Sequence, residues 1–112
     1  MKLKIGLLLT TLIIILVATK NMQSKEATFY ADKYIGRKMA NGELFNQEKL
    51  TCASNDYPLG TLLHVEYKGK FTIVTVTDRI GYGTDIDLTK LAFEELAPLH
   101  IGRLKGIKIK KL

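Results

Sequence analysis

Two aspartates stand where regular structure would hold them. Asp78-Arg79 closes the run from Lys70 to Thr77, and Ile86-Asp87-Leu88 leads into a helical pattern, with Gly81-Tyr82-Gly83 between them. Two carboxylates brought together titrate apart, so that one keeps its proton and can act as an acid. The residues alone leave a plainer reading open. An aspartate after a strand is a common turn residue, and Asp87, two residues before Thr89, is placed to help cap a helix. Cys52 is the only cysteine, so it has no intrachain disulfide partner, and Leu50 and Ala53 nearby point to burial. A nucleophilic thiol needs an activating base, and neither His64 nor His100 has catalytic spacing to it.

The elements that must position these residues are mostly strands. Thr28-Phe29-Tyr30 reads as a short opening strand and Leu50 to Ala53 as another. Leu62 to Tyr67 puts Leu63, Val65 and Tyr67 on one face. Lys68-Gly69 then turns the chain into Lys70 to Thr77, a hairpin in which Gly69 supplies a positive φ. Val74 and Val76 share one face and Phe71, Ile73 and Thr75 the other, a two-sided apolarity that suits a barrel or a covered sheet. One helix is expected, from Lys90 to Ala97. Thr89 caps it, Leu88 staples onto Phe93, and Leu88, Leu91, Ala92 and Leu96 form its apolar stripe, with Pro98 limiting its extension. Ile107 and Ile109 alternate with Lys108 and Lys110, as in a half-buried last strand. The fold class is therefore mainly β, with one short helix inserted before the closing strand.

Length and charge bound the rest. The 112 residues and single cysteine exclude a large multidomain enzyme, a disulfide-stapled fold and a Cys-rich zinc module. Lys2 and Lys4 precede a run from Ile5 to Ala18 made only of apolar residues, Gly and Thr. As a helix this run spans about 21 Å, short of the roughly 30 Å bilayer core, which favours an export signal over a stable membrane span. Residues 1–18 are thus expected to be a signal peptide or amino-terminal anchor, 19–26 a linker and 27–112 the domain. The net charge of +6 would fall to +4 on removal of residues 1–18. A modest positive charge favours anionic wall or membrane surfaces. The basic residues are scattered, and the group Lys105, Lys108, Lys110 and Lys111 reads as a solvated face, so no nucleic-acid partner is expected.

The order and spacing of several short stretches resemble the RlpA-like (rare lipoprotein A) double-psi β-barrel family, and more distantly expansin barrels. The stretches are Ala27 to Tyr30, Gly36 to Phe45, Leu50 to Ala53, Tyr57 to Thr61, Val74 to Arg79 and Ile86 to Thr89. The resemblance implies a six-stranded barrel with a polysaccharide groove. It implies a lytic transglycosylase, a carbon–oxygen lyase that cleaves the bond between N-acetylmuramic acid and N-acetylglucosamine in naked peptidoglycan strands and leaves a 1,6-anhydro end. Asp78 matches the family's strand-end acid and becomes the general acid/base. Asp87 matches the second acidic position and becomes a binding or positioning residue. Tyr30, Ser54, Arg79 and Tyr82 are the other substrate-binding or positioning candidates, Tyr30 by stacking on a sugar. The internal C6 hydroxyl replaces water as nucleophile, so no metal or organic cofactor is expected.

One position departs from the pattern. Where transglycosylases of the family usually carry His, this chain has Ser54, which cannot hold a proton near neutral pH. That departure gives weight to an alternative, a noncatalytic glycan-binding or expansin-like wall-loosening protein. Either reading implies peptidoglycan glycan strands as partner, with cell-envelope or division proteins as further candidates, and a monomer. Membrane contact is expected only through residues 5–18 if they are retained. The expected location is exported: periplasm or cell envelope, or secreted, or anchored at the outer side of the cytoplasmic membrane.

Overall fold

The computed structural model describes residues 24–81 and 83–112. The expected signal or anchor, most of the expected linker, and Tyr82 lie outside the described residues. Six strands, β1 (Lys25–Phe29), β2 (Thr51–Ala53), β3 (Leu62–Tyr67), β4 (Lys70–Asp78), β5 (Ile86–Leu88) and β6 (Leu104–Lys111), close into a barrel in the order β1-β5-β2-β4-β3-β6. β1 runs parallel to β5 and β2 parallel to β4, while the other pairs are antiparallel. β1 starts at Lys25, inside the stretch read as linker, because Lys25 pairs with Ile107 of β6.

The β3–β4 hairpin forms as its pattern predicts. Lys68 and Gly69 take φ of 46° and 83°, the pair of positive angles that matches the twist of the two strands. Leu63 and Val65 of β3 and Thr72, Val74 and Val76 of β4 point into the barrel and are buried. The outer face is another matter. Phe71 and Ile73 are exposed, so β4 is not covered on both sides: closure of the barrel buries one face of each strand and leaves the other to solvent.

The helix α1 (Lys90–Glu94) is shorter than its pattern, although Leu96 and Ala97 beyond it are buried all the same. Thr89 caps it, accepting from the Ala92 amide at 3.3 Å while donating to the Lys49 carbonyl at 2.6 Å. Gln47 adds a second cap that the local pattern does not reveal, its Oε1 accepting from the Lys90 amide at 2.8 Å. Ala92 and Phe93 enter the barrel core with Leu88, and Phe93 meets Phe29 edge-on at 4.8 Å. Leu91 is exposed instead of joining the stripe, because only one side of this single turn and a half faces the barrel.

A second apolar cluster lies apart from the main core. Tyr30, Met39, Phe45 and Ala53 form it, with Ile80 packed against them. It is built by the long β1–β2 connection folding back onto β2, with the Met39 and Glu43 backbones and the Gly36 and Phe45 backbones bonded to each other.

Candidate functional site

The site is a row of residues across four neighbouring strands. Thr28 of β1 pairs with Asp87 of β5, Asp87 pairs with Ala53 of β2, and Ala53 pairs with Asp78 of β4. The last pairing depends on an irregularity. Cys52 pairs with Val76, so a regular parallel register would set Ala53 against Thr77; a shift between Cys52 and Ala53 brings Asp78 there instead. Two strand spacings separate the aspartates, which puts their backbones about 10 Å apart. Both line one open groove of about 440 Å³, with Thr28, Tyr30, Tyr34, Arg79 and Arg103 also on its walls.

The two carboxylates have different surroundings. Three donors converge on Asp78: the Tyr30 hydroxyl at 2.7 Å on Oδ2, and the Ala40 and Arg79 amides at 2.9 Å on Oδ1. Asp87 accepts one side-chain bond, from Thr28 Oγ1 at 3.1 Å. Burial pushes the Asp87 carboxyl up to about 6; the Thr28 bond opposes this and the nearby Asp78 charge adds to it. The row thus contains a carboxyl able to hold a proton near neutral pH and, across Ala53, a second one gripped by hydrogen-bond donors.

Tyr30 has a different place from the sugar-stacking one expected of it. It is only 7 % exposed, and its ring is stacked on Phe45 at 4.2 Å, nearly parallel. A face already packed on another ring is not free for a sugar. Burial, then the bond to Asp78, raises the phenol well above its ordinary pKa, so the hydroxyl remains a donor. Among the described residues, the exposed aromatic ring of the groove is Tyr34, which sequence reasoning missed. It stands edge-on to Tyr30 at 5.9 Å, with Lys33 and Arg37 over its ring. The available signal was Arg37, three residues after Tyr34 and four after Lys33. Arg103 was missed as well, and no local signal marks it. It reaches the groove from just before β6, bonding Glu26 Oε2 at 2.7 Å and the Gly83 carbonyl at 2.8 Å.

Ser54, expected to bind or position substrate, does not line the groove. It is 2 % exposed, its amide donates to the Asp78 carbonyl at 3.0 Å, and its Oγ accepts from the Asp56 amide at 3.2 Å. Arg79 closes over it. Its Nη1 donates to the carbonyls of Ser54 at 2.7 Å and Tyr57 at 2.6 Å, tying the loop after β2 to the end of β4. Arg79 therefore serves the site by fixing the backbone under Asp78. Cys52 is buried, and burial followed by the charge of Asp87 pushes its thiol up to about 12, which leaves it unreactive at neutral pH. His64 stacks on Phe71 outside the barrel, and His100 lies in a short turn after Pro98; neither lines the groove.

A family model described as lytic transglycolase matches residues 22–108. The chain is 40% identical over 85 residues to an uncharacterized protein of Synechocystis, covering 74% of this chain and 92% of that one. It is 39% identical over 80 residues to a probable endolytic peptidoglycan transglycosylase RlpA of Aquifex aeolicus, covering 68% of this chain and 35% of that protein. An endolytic peptidoglycan transglycosylase RlpA of Rickettsia bellii is 39% identical over 85 residues, covering 72% of this chain and 37% of the relative. The chain thus spans about a third of the length of these two RlpA proteins. Among solved structures, the Streptomyces papain inhibitor superposes with a TM-score of 0.64 at 31% identity, covering 80% of this chain and 94% of that one. Cerato-platanin 3 of M. perniciosa shares the fold, with a TM-score of 0.60 at 12% identity over the same shares of each chain.

Proposed function

The chain belongs to the RlpA-like lytic transglycolase family of double-psi β-barrels, and from that premise we propose that it cleaves naked peptidoglycan glycan strands between N-acetylmuramic acid and N-acetylglucosamine. The observation that carries the proposal is the placement of Asp78 and Asp87 on either side of Ala53 in one open groove. In place of the positioning role that the resemblance implies, Asp87, whose carboxyl is pushed up to about 6, gives its proton to the glycosidic oxygen as the C1–O bond breaks. Asp78 takes the proton of the muramyl C6 hydroxyl, whose oxygen bonds to C1 and forms the 1,6-anhydro ring. Asp87 ends ionised and Asp78 protonated, and exchange with solvent restores both. Tyr30 and the Ala40 and Arg79 amides orient the Asp78 carboxylate. Tyr34 on the groove wall, with Lys33 and Arg37 over its ring, presents a cationic and aromatic edge to the glycan. The naming of two relatives as peptidoglycan transglycosylases supports this substrate and a place outside the cytoplasm, with residues 1–18 serving export or anchoring.

The test is digestion of purified denuded glycan strands, with 1,6-anhydro ends counted by mass spectrometry. Asp78→Asn keeps shape and removes the ionisable group, so it should lower turnover by about 10²–10⁴-fold while glycan binding persists. A folded Asp78→Asn variant that works at the wild-type rate would sink the assignment. A second reading, a noncatalytic glycan binder, is favoured by Ser54, which is buried and brings no imidazole to the groove. It predicts glycan binding by the wild type with no anhydro product.

A further inference from the structure

The outer surface of β4, β3 and β6 carries a set of residues that the groove does not use. Phe71, Ile73 and Thr75 of β4 point outward because Thr72, Val74 and Val76 fill the interior. Register sets them beside Glu66, His64 and Leu62 of β3, and sets Glu66 and His64 beside Lys108 and Lys110 of β6. The Leu112 amide continues the ladder, donating to the Leu62 carbonyl at 3.0 Å. Phe71, Leu62 and Leu112 are each about half exposed, at 55, 48 and 58 %. Lys108 and Lys110 of β6, with Glu66 of β3, therefore border the apolar side chains. Single exposed apolar residues are ordinary; a contiguous group rimmed by cations marks an interaction surface.

Charge and chain entry together say what covers it. Lysines around exposed Phe, Ile and Leu are the residues that adsorb to an anionic bilayer, charge drawing the headgroups while apolar tips enter the boundary. The chain enters the barrel at Lys25, paired with Ile107 and therefore adjacent to Lys108. Only residues 19–24 separate that point from the apolar run ending at Ala18. Fully extended, this stretch reaches about 25 Å. Taking the anchor alternative for residues 5–18, we propose that the outer face of β4, β3 and β6 docks on the anionic lipid surface of the membrane that holds them. The groove, at the ends of β1 and β4, shares no residue with this face and is left open to glycan. The docking does not depend on whether the groove cuts or only binds.

The full chain reconstituted in vesicles tests this. Cys52 is buried, so a cysteine introduced as Phe71→Cys takes an environment-sensitive dye selectively, and Leu44→Cys, on an exposed loop outside the face, serves as control. Doxyl-labelled lipid should quench the dye at position 71, and not at 44, in phosphatidylcholine vesicles containing phosphatidylglycerol. Pure phosphatidylcholine should give no quenching at either site. Each lysine near an anionic surface is worth roughly fivefold in partitioning, so Lys108→Gln with Lys110→Gln should lower the ratio of docked to undocked barrel about 25-fold. Equal quenching at both sites, quenching at neither, or indifference to lipid charge or to the lysine changes would overturn the proposal. So would membrane-fraction protein whose intact mass lacks residues 1–18, or a concentration-dependent dimer that shields position 71 without lipid.

Discussion

Asp87 sits in a position that disfavours its own charge. Burial is the main cause and Asp78 adds to it, while a single hydroxyl, that of Thr28, compensates. The consequence for stability has a definite sign. A carboxyl whose pKa rises from its ordinary value near 3.8 to about 6 binds its proton more tightly in the folded chain than in the unfolded one. Its contribution is then fully present below about 3.8 and is lost as pH rises through 6. Asp87→Asn removes that loss. We expect the variant to match the wild type in denaturant midpoint near pH 3.5 and to exceed it at pH 7.5. A variant less stable than wild type at pH 7.5 would mean that the charge is compensated by contacts other than the Thr28 bond. Under the proposed mechanism the same proton gives a second readout: cleavage by the wild type should decline as pH rises above about 6. The two aspartates were legible because Asp78 ends a recognisable strand and Asp87 leads into a recognisable helix. The roles around them were not. Tyr30 shows an aromatic in a strand but not that Phe45, fifteen residues away, occupies its face, and nothing in the Thr51-Cys52-Ala53-Ser54 stretch discloses that Arg79 and the Asp78 backbone close over Ser54.

Among the elements, those fixed by neighbours in sequence could be read and those fixed by distant pairing could not. The hairpin was legible because the alternation of Leu63 and Val65, then Val74 and Val76, brackets a Lys-Gly turn. The helix was legible from Thr89, Leu88 and Phe93. The parallel pairings of β1 with β5 and β2 with β4 leave no periodic trace, and neither does the shift between Cys52 and Ala53 that aligns Asp78 with Asp87. A two-residue period also says which side chains alternate, not whether the second face is covered; hence the exposure of Phe71 and Ile73. The buried side of β4 has its own anomaly. Thr72 is 1 % exposed, and its hydroxyl has no hydrogen-bond partner among the described residues. Burying an unpaired hydroxyl costs about 1–3 kcal/mol, and Thr72→Val replaces it with a methyl of nearly the same shape. The expected result is a gain of about 1 kcal/mol in unfolding free energy, read from the urea midpoint at unchanged slope. A loss of similar size would show that the hydroxyl is solvated or bonded in solution.

At the scale of the whole molecule, closure couples parts that look separable. The floor of the groove has its own apolar cluster of Tyr30, Met39, Phe45 and Ala53, distinct from the core inside the barrel. A floor held only by its loop would melt first and leave an empty barrel. The connections argue otherwise. Tyr30 follows β1 directly and its amide bonds the Leu88 carbonyl of β5, Ala53 belongs to β2, and the Asn41 amide bonds the Thr77 carbonyl of β4. β1 in turn needs β6, the last strand, as its second neighbour, so the first and last strands hold the barrel shut against each other. No strand can leave without exposing the ladders of two others, and the floor rests on β1, β2 and β4 at once. Denaturation should therefore be a single transition, as is usual for domains of this size. The chain has no tryptophan, so its near-ultraviolet circular dichroism comes mainly from tyrosines, of which Tyr30 reports the floor while Tyr57 and Tyr67 pack on the main core. Near- and far-ultraviolet signals should fall along one curve in urea. A Tyr30→Phe variant should shift both curves together toward lower urea, because the lost bond to Asp78 weakens the whole barrel. A near-ultraviolet change that precedes the far-ultraviolet one, and that Tyr30→Phe abolishes, would identify the groove floor as a unit that unfolds alone.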